Sequence, residues 1–188
     1  VYCSGRDKAV NMAIAFAESL PYLNNKMLDD VTKDIKNEIH TDYYLAEIIS
    51  KGVAYHVGYL PLHIRTKIEQ LYRDREIKTI FCTSTLIEGV NLPADNLIII
   101  SSRIGSKGNM NQVEFKNLLG RVGRIEYNLY GNVFIIRDKN IAEKTIKELL
   151  VKDVQNQKIG LTTQLSDEAK KYVINQFLNG DSQLNQLE

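Results

Sequence analysis

The sequence predicts an α/β fold: an open, mostly parallel sheet with helices on both faces, plus a helical insertion and C-terminal helices. Three observations carry this expectation. Strand-like and helix-like periods alternate along the first 140 residues, the pattern of units that build a parallel sheet. Thr79-Ile80-Phe81-Cys82 and Leu97-Ile98-Ile99-Ile100 read as runs apolar on both faces, which suits strands buried between helix layers. A hydrophobic fraction of 44% in 188 residues is enough to fill a core.

The elements follow in chain order. Val1 to Cys3 reads as a short strand end. Ala9, Val10, Ala13, Ile14, Ala17 and Leu20 keep helical spacing, with Asp7 placed to cap the helix and Pro21 to end it. Residues 22–51 are rich in Lys, Asp and Asn and read as a solvated helical insertion between core units. Gly52 precedes the strand Val53-Ala54-Tyr55. Pro61 fits the first turn of a helix that puts Ile64, Ile68, Leu71 and Tyr72 on one face. Gln112 to Leu119 reads as helix and Gly131 to Ile136 as a last strand. Ile141 to Val151 and Asp167 to Leu178 read as amphipathic helices. The expected organisation is one domain at 1–139, with the insertion at 22–51, and a helical tail at 140–188 that could begin a further domain.

Bulk properties exclude little. The 24 basic and 23 acidic residues nearly cancel, which argues against a purely electrostatic polyanion clamp but leaves room for a local cationic site. Cys3 and Cys82 stand apart in apolar segments and read as reduced core thiols, as in a cytoplasmic protein. No apolar run approaches the roughly 18 residues of a membrane span. The opening Val1-Tyr2-Cys3 has neither Met nor a signal-peptide pattern, which suggests a piece of a longer protein. Leu187-Glu188 could be the remnant of a tag.

Two segments could carry chemistry. Asn117-Leu118-Leu119-Gly120-Arg121-Val122-Gly123-Arg124 places two arginines three apart at the end of a helical pattern. Glycine lets a backbone approach a ligand closely, and paired guanidinium forks suit phosphate oxygens. The bland alternative is a glycine-rich turn with two solvated arginines. The second segment, Thr83-Ser84-Thr85-Leu86-Ile87-Glu88-Gly89-Val90-Asn91-Leu92-Pro93-Ala94, follows a buried strand. Its three hydroxyls stand where an open α/β sheet offers a site, and short hydroxyls with exposed amides suit phosphates. They could equally cap the next helix.

Together, and in this order, the two segments resemble motifs V and VI of superfamily-two nucleic-acid helicases, with the DExH branch closest. Val1-Tyr2-Cys3-Ser4-Gly5-Arg6 resembles motif IV of that family. Tyr55-His56-Val57-Gly58, with Arg65 and the helix at 68–73, resembles its "HHAGL…R…E…F" block. The match spans residues 1 to 137. It implies a RecA-like three-layer domain, the C-terminal half of a motor that binds ATP and a polynucleotide, RNA or DNA, in single-stranded form.

The resemblance also implies roles. Arg121 and Arg124 would reach the ATP phosphates across an interdomain cleft, with Arg124 as the arginine finger. Gly89, Asn91, Asn117 and Gly120 would lie near the nucleotide. Thr83, with Ser84 and Thr85, would touch the nucleic-acid backbone, and Ser4, Arg6, His56 and Gly58 could line the same track. Asn117 departs from the Gln usual at its position. It motivates a second reading, a catalytically inactive RecA-like binding or scaffold module. The sequence has no GxxxxGK[ST] and no DExH or DExD stretch. The triphosphate loop and the acid that holds Mg2+ would therefore come from an N-terminal RecA-like domain of the same protein, and this chain alone would be silent.

Overall fold

The computed structural model describes residues 1–86, 92, 94–103, 108–122, 131–136, 143–151 and 171. Six helices and four strands are defined among them: α1 Arg6–Glu18, α2 Lys26–Glu38, α3 Tyr44–Ile49, β1 Val53–His56, α4 Leu62–Arg73, β2 Thr79–Cys82, β3 Asn96–Ile99, α5 Gln112–Leu119, β4 Asn132–Ile135 and α6 Glu143–Val151. The chain divides into two compact units, Val1–Lys152 and Asp153–Glu188. In the second unit only Lys171 is described, so the helix expected at 167–178 falls outside the described residues.

β1 pairs parallel with β2, and β3 pairs parallel with β4. Tyr2 joins the two pairs, bridging Cys82 on one side and Ile99 on the other, both in parallel. Its amide donates to the Ile98 carbonyl at 2.7 Å, and the Cys82 amide donates to the Val1 carbonyl at 2.9 Å. The strand order is therefore β1, β2, the Tyr2 segment, β3, β4. Because all of these run the same way, the loops that follow them gather at one edge of the sheet.

Alternation along β2 shows that helices cover both faces. Phe81 packs on Phe16 of α1, with ring centroids 5.7 Å apart. Its neighbours Ile80 and Cys82 point the other way and line a recess with Tyr72 of α4 and Leu118 of α5. Val53, Ala54, Tyr55 and His56 are all buried, as expected for a strand between two layers. β4 differs: Val133 and Phe134 are 38% and 50% exposed. Cys3 and Cys82 are buried and unbridged, and burial pushes the Cys82 thiol up to about 11, so both are protonated, weakly reactive core groups.

Two local expectations need correction. α1 starts one residue earlier than Asp7. Its N-cap is Gly5, and no side chain caps it. Asp7 sits in the first turn, where its charge favours the helix dipole without capping. The second correction concerns residues 22–51. Leu28, Val31, Thr32 and Ile35 of α2 are buried, as are Leu45, Ala46, Ile48 and Ile49 of α3. They form one stripe at helical spacing against the core, so this stretch is amphipathic rather than solvated throughout.

Polar contacts fasten α2 as well. Asn25 Oδ1 accepts from the Met27 amide at 2.9 Å, capping the helix, while its Nδ2 donates to Glu76. Lys67 Nζ donates to Asp34 at 2.7 Å, and His63 meets Glu38. Gly52, at φ +73°, then turns the chain into β1, where an added Cβ would lie 3.0 Å from Leu23 Cδ1. Among the described residues no helix is long and apolar enough to cross a membrane.

Candidate functional site

The loops after the Tyr2 segment, β1 and β2 bring singled-out segments to the carboxyl edge of the sheet. Ser4 and Arg6 follow the Tyr2 segment, His56 and Gly58 close β1, and Thr83, Ser84 and Thr85 follow β2. The Arg6 guanidinium lies over the exposed Tyr59 ring, 5.9 Å from its centroid, which ties the start of α1 to the loop after β1. Ser84–Leu86 form a short 3₁₀ turn. Thr83 is buried, Ser84 and Thr85 are half-buried, and Gly58 is exposed. After β3, Tyr2 Oη donates to the Arg103 carbonyl at 3.0 Å and holds the fourth loop at the same edge.

His56 lies behind this edge and is fully buried. Nδ1 is 2.9 Å from Thr85 Oγ1 and Nε2 is 3.0 Å from Glu69 Oε1 of α4. The other Glu69 oxygen pairs with Arg73 Nη2 at 3.5 Å. Arg65, one turn before Glu69, buries its Nε without a hydrogen-bond partner among the described residues. Burial holds the His56 pKa below its ordinary value, while Glu69 opposes the shift.

The sign of the consequence follows. His56 binds a proton less readily folded than unfolded, so its contribution is complete above the ordinary value of 6.5. It is lost as pH falls from there through the folded pKa. Denaturant unfolding of the chain is expected to show lower stability at about pH 5.5 than at about pH 7.5. His56→Gln should remove that part of the pH dependence, and an unchanged dependence in the variant would assign it to other groups.

The second set of residues lies elsewhere. Asn117 is exposed on the last turn of α5, Gly120 caps that helix, and Arg121 follows half-buried. A Cβ on Gly120 would come within 3.3 Å of the Lys116 carbonyl, so glycine permits the tight helix end. The Arg121 carbonyl accepts from the Ala94 amide at 3.0 Å, and Val122 bridges Ala94. Ala94 precedes β3, so this set stands at the amino edge of the sheet. There Arg121 lines a recess of about 270 Å³ with Lys78, Ala94 and Asn96.

The two cations in that lining suit an anionic group such as a nucleotide phosphate. No cluster of three metal-ligating residues occurs among the described residues. Gly89, Asn91 and Arg124 lie outside the described residues. Sequence reasoning missed Glu69, Arg73 and Tyr59. The glutamate belongs to the "R…E" pattern already quoted, but its contact with His56 arises only when α4 packs on β1.

The family of helicase conserved C-terminal domains matches residues 24–126 of the chain. The chain is 36% identical over 132 residues to the ATP-dependent DNA helicase Hel308 of Thermoplasma acidophilum, which covers 69% of this chain and 19% of that protein. It is 29% identical over 154 residues to Hel308 of Thermoplasma volcanium, covering 80% of this chain and 22% of that one. It is also 29% identical over 163 residues to the human helicase POLQ-like, covering 83% of this chain and 14% of that one. The chain thus spans less than a quarter of the length of these relatives.

Proposed function

The chain belongs to the family of helicase conserved C-terminal domains, and from that membership we propose that it is the C-terminal motor half of an ATP-dependent DNA helicase. The observation that carries the proposal is the placement of the two residue sets on opposite edges of one sheet. At the carboxyl edge, Ser4, Arg6, Gly58 and the loop Thr83-Ser84-Thr85 line a track for a single-stranded polynucleotide, with His56 behind it. Hydroxyls, amides and a guanidinium address phosphates and sugars, so this grip carries no sequence preference. DNA rather than RNA is proposed because Hel308 relatives are named as DNA helicases.

At the amino edge, Asn117, Gly120 and Arg121 face the nucleotide; Gly89, Asn91 and Arg124 are assigned to the same nucleotide by the motif resemblance alone. ATP, when bound, supplies the phosphoanhydride bond whose cleavage drives movement. Its triphosphate cradle and Mg2+ ligands belong to an N-terminal RecA-like domain of the same protein. Arg121 and Arg124 stabilise charge on the transferring phosphoryl group, a role that depends on fixed geometry rather than covalent chemistry.

One continuous segment connects the two edges. It leaves β2 at Thr83 on the carboxyl edge and reaches Ala94, beside Arg121, on the amino edge. A displacement of Arg121 therefore passes to Ala94 through their backbone hydrogen bond and on along the chain to the backbone grip. The whole protein is expected to hydrolyse ATP faster with single-stranded DNA present. Stimulation by RNA and not by DNA would reverse the choice of substrate.

A further inference from the structure

The hydrogen-bond arithmetic at Thr85 points to a division of labour within the Thr83-Ser84-Thr85 loop. Thr85 Oγ1 lies 2.9 Å from His56 Nδ1 and 3.1 Å from the His56 carbonyl oxygen. A threonine hydroxyl has one proton to donate, and both acceptors within reach belong to the fold. Glu69 decides between them. As a carboxylate paired with Arg73, it only accepts, so the proton of the neutral imidazole sits on Nε2 and is donated to Glu69 Oε1. Nδ1 is left as an acceptor, and the Thr85 hydroxyl donates to it.

In a doubly protonated ring, Nδ1 would donate instead. The Thr85 proton would then turn to the His56 carbonyl. In neither state does Thr85 keep a proton for a phosphate oxygen, which itself only accepts. The methyl end of Thr85 faces Gly58, where an added Cβ would stand 3.6 Å from Cγ2. The Thr83 amide also donates to the His56 carbonyl, at 3.4 Å.

We propose that Thr85 is a positioning residue rather than a backbone ligand. The chain Arg73–Glu69–His56–Thr85 fastens the loop after β2 to β1 and α4, leaving the Ser84 hydroxyl and the loop amides as phosphate donors. This inference rests on the reading of the carboxyl edge as the strand track. It goes beyond that reading by taking one hydroxyl out of the contact set and putting a buried His–Glu pair in charge of the loop.

The test is the affinity of the whole protein for single-stranded DNA, compared among Thr85→Val, Thr85→Ser, His56→Gln, His56→Asn, Ser84→Ala and the relevant doubles. Thr85→Val and His56→Gln should each weaken binding roughly 3- to 10-fold, the value of one buried hydrogen bond. The Thr85→Val/His56→Gln double should be no weaker than the worse single, because both remove one link. Thr85→Ser should bind like the parent. Asn at position 56 can carry an amide to the Nδ1 position, whereas Gln reaches that of Nε2, so His56→Asn should bind better than His56→Gln. A role in filling volume alone would not produce that order. The loss in Ser84→Ala/Thr85→Val should fall short of the product of the two singles, because Thr85 acts in part by placing the Ser84 hydroxyl.

Independent, multiplying effects of Thr85→Val and His56→Gln would overturn the inference, since Thr85 would then reach DNA by itself. If His56→Gln does not fold, the same cycle is run with His56→Asn, whose contact with Thr85 should be lost in the Thr85→Val background. Unchanged affinity in Ser84→Ala, Thr85→Val and His56→Gln together would overturn the strand-track reading along with the inference.

Discussion

Replacing Arg124 by alanine in the whole protein is expected to lower DNA-stimulated ATP hydrolysis about a thousandfold, equivalent to roughly 4 kcal/mol of transition-state stabilisation. Binding of single-stranded DNA should change little, because the motif resemblance assigns this arginine to the nucleotide and not to the strand track. The neighbouring Arg121 stands beside Lys78 in the amino-edge recess, so Arg121→Ala should lower the same rate in the same direction. Steady-state ATPase measurements with saturating DNA, beside a DNA-binding titration, separate the two effects. An unchanged rate in Arg124→Ala would make the glycine–arginine segment structural. Weight would then move to the inactive binding or scaffold module that Asn117 motivates.

The second large effect concerns stability. Leu28 of α2 is fully buried, and Leu28→Ala should cost about 2–5 kcal/mol through lost burial and a residual cavity. Lys33 lies on the opposite, exposed side of α2, with 72% of its side chain open and an exposed pairing with Asp30. Lys33→Ala should stay within about 0.5 kcal/mol of the parent. Denaturant unfolding of both variants measures the difference. Equal, small effects would mean that α2 is an appendage whose loss the sheet tolerates.

The contrast between those two residues explains how the sequence misleads at 22–51. Composition there is dominated by charged and polar side chains. The buried positions Leu28, Val31 and Ile35 keep the helical period nonetheless, and Asn25 caps the helix they belong to. Reading composition before period hides the stripe. The same distinction makes β1, β2 and β3 legible. Their apolar runs are short, bounded by turn residues and flanked by helical periods, and the structure places all three within a residue of expectation. Pro21 follows α1 as expected and Pro61 stands one residue ahead of α4, at its N-cap, while the cap expected of Asp7 falls to Gly5 and no side chain fills it.

The site is legible to a different depth. Motif order identifies the segments, and parallel strands oblige the loops after them to share one edge, so Ser4, Arg6, Gly58 and Thr83 to Thr85 come together. What is hidden is which side chains face outward. His56 reads as a lone histidine at a strand end because Glu69, its partner through Nε2, is thirteen residues away on another element. Thr85 reads as a phosphate ligand because its proton is committed only once β1 and the loop after β2 are neighbours. Such contacts depend on tertiary packing, which a one-dimensional pattern does not contain.

Whether this domain completes an ATP site it cannot build alone is decided by ATP hydrolysis. Residues 1–188 purified alone are compared with the whole protein, each with and without single-stranded DNA. No hydrolysis by 1–188 is expected under either condition, and DNA-stimulated hydrolysis is expected of the whole protein. Stimulated hydrolysis by 1–188 on its own would contradict it, because a complete phosphate cradle and metal-holding acid would then have to reside within this chain.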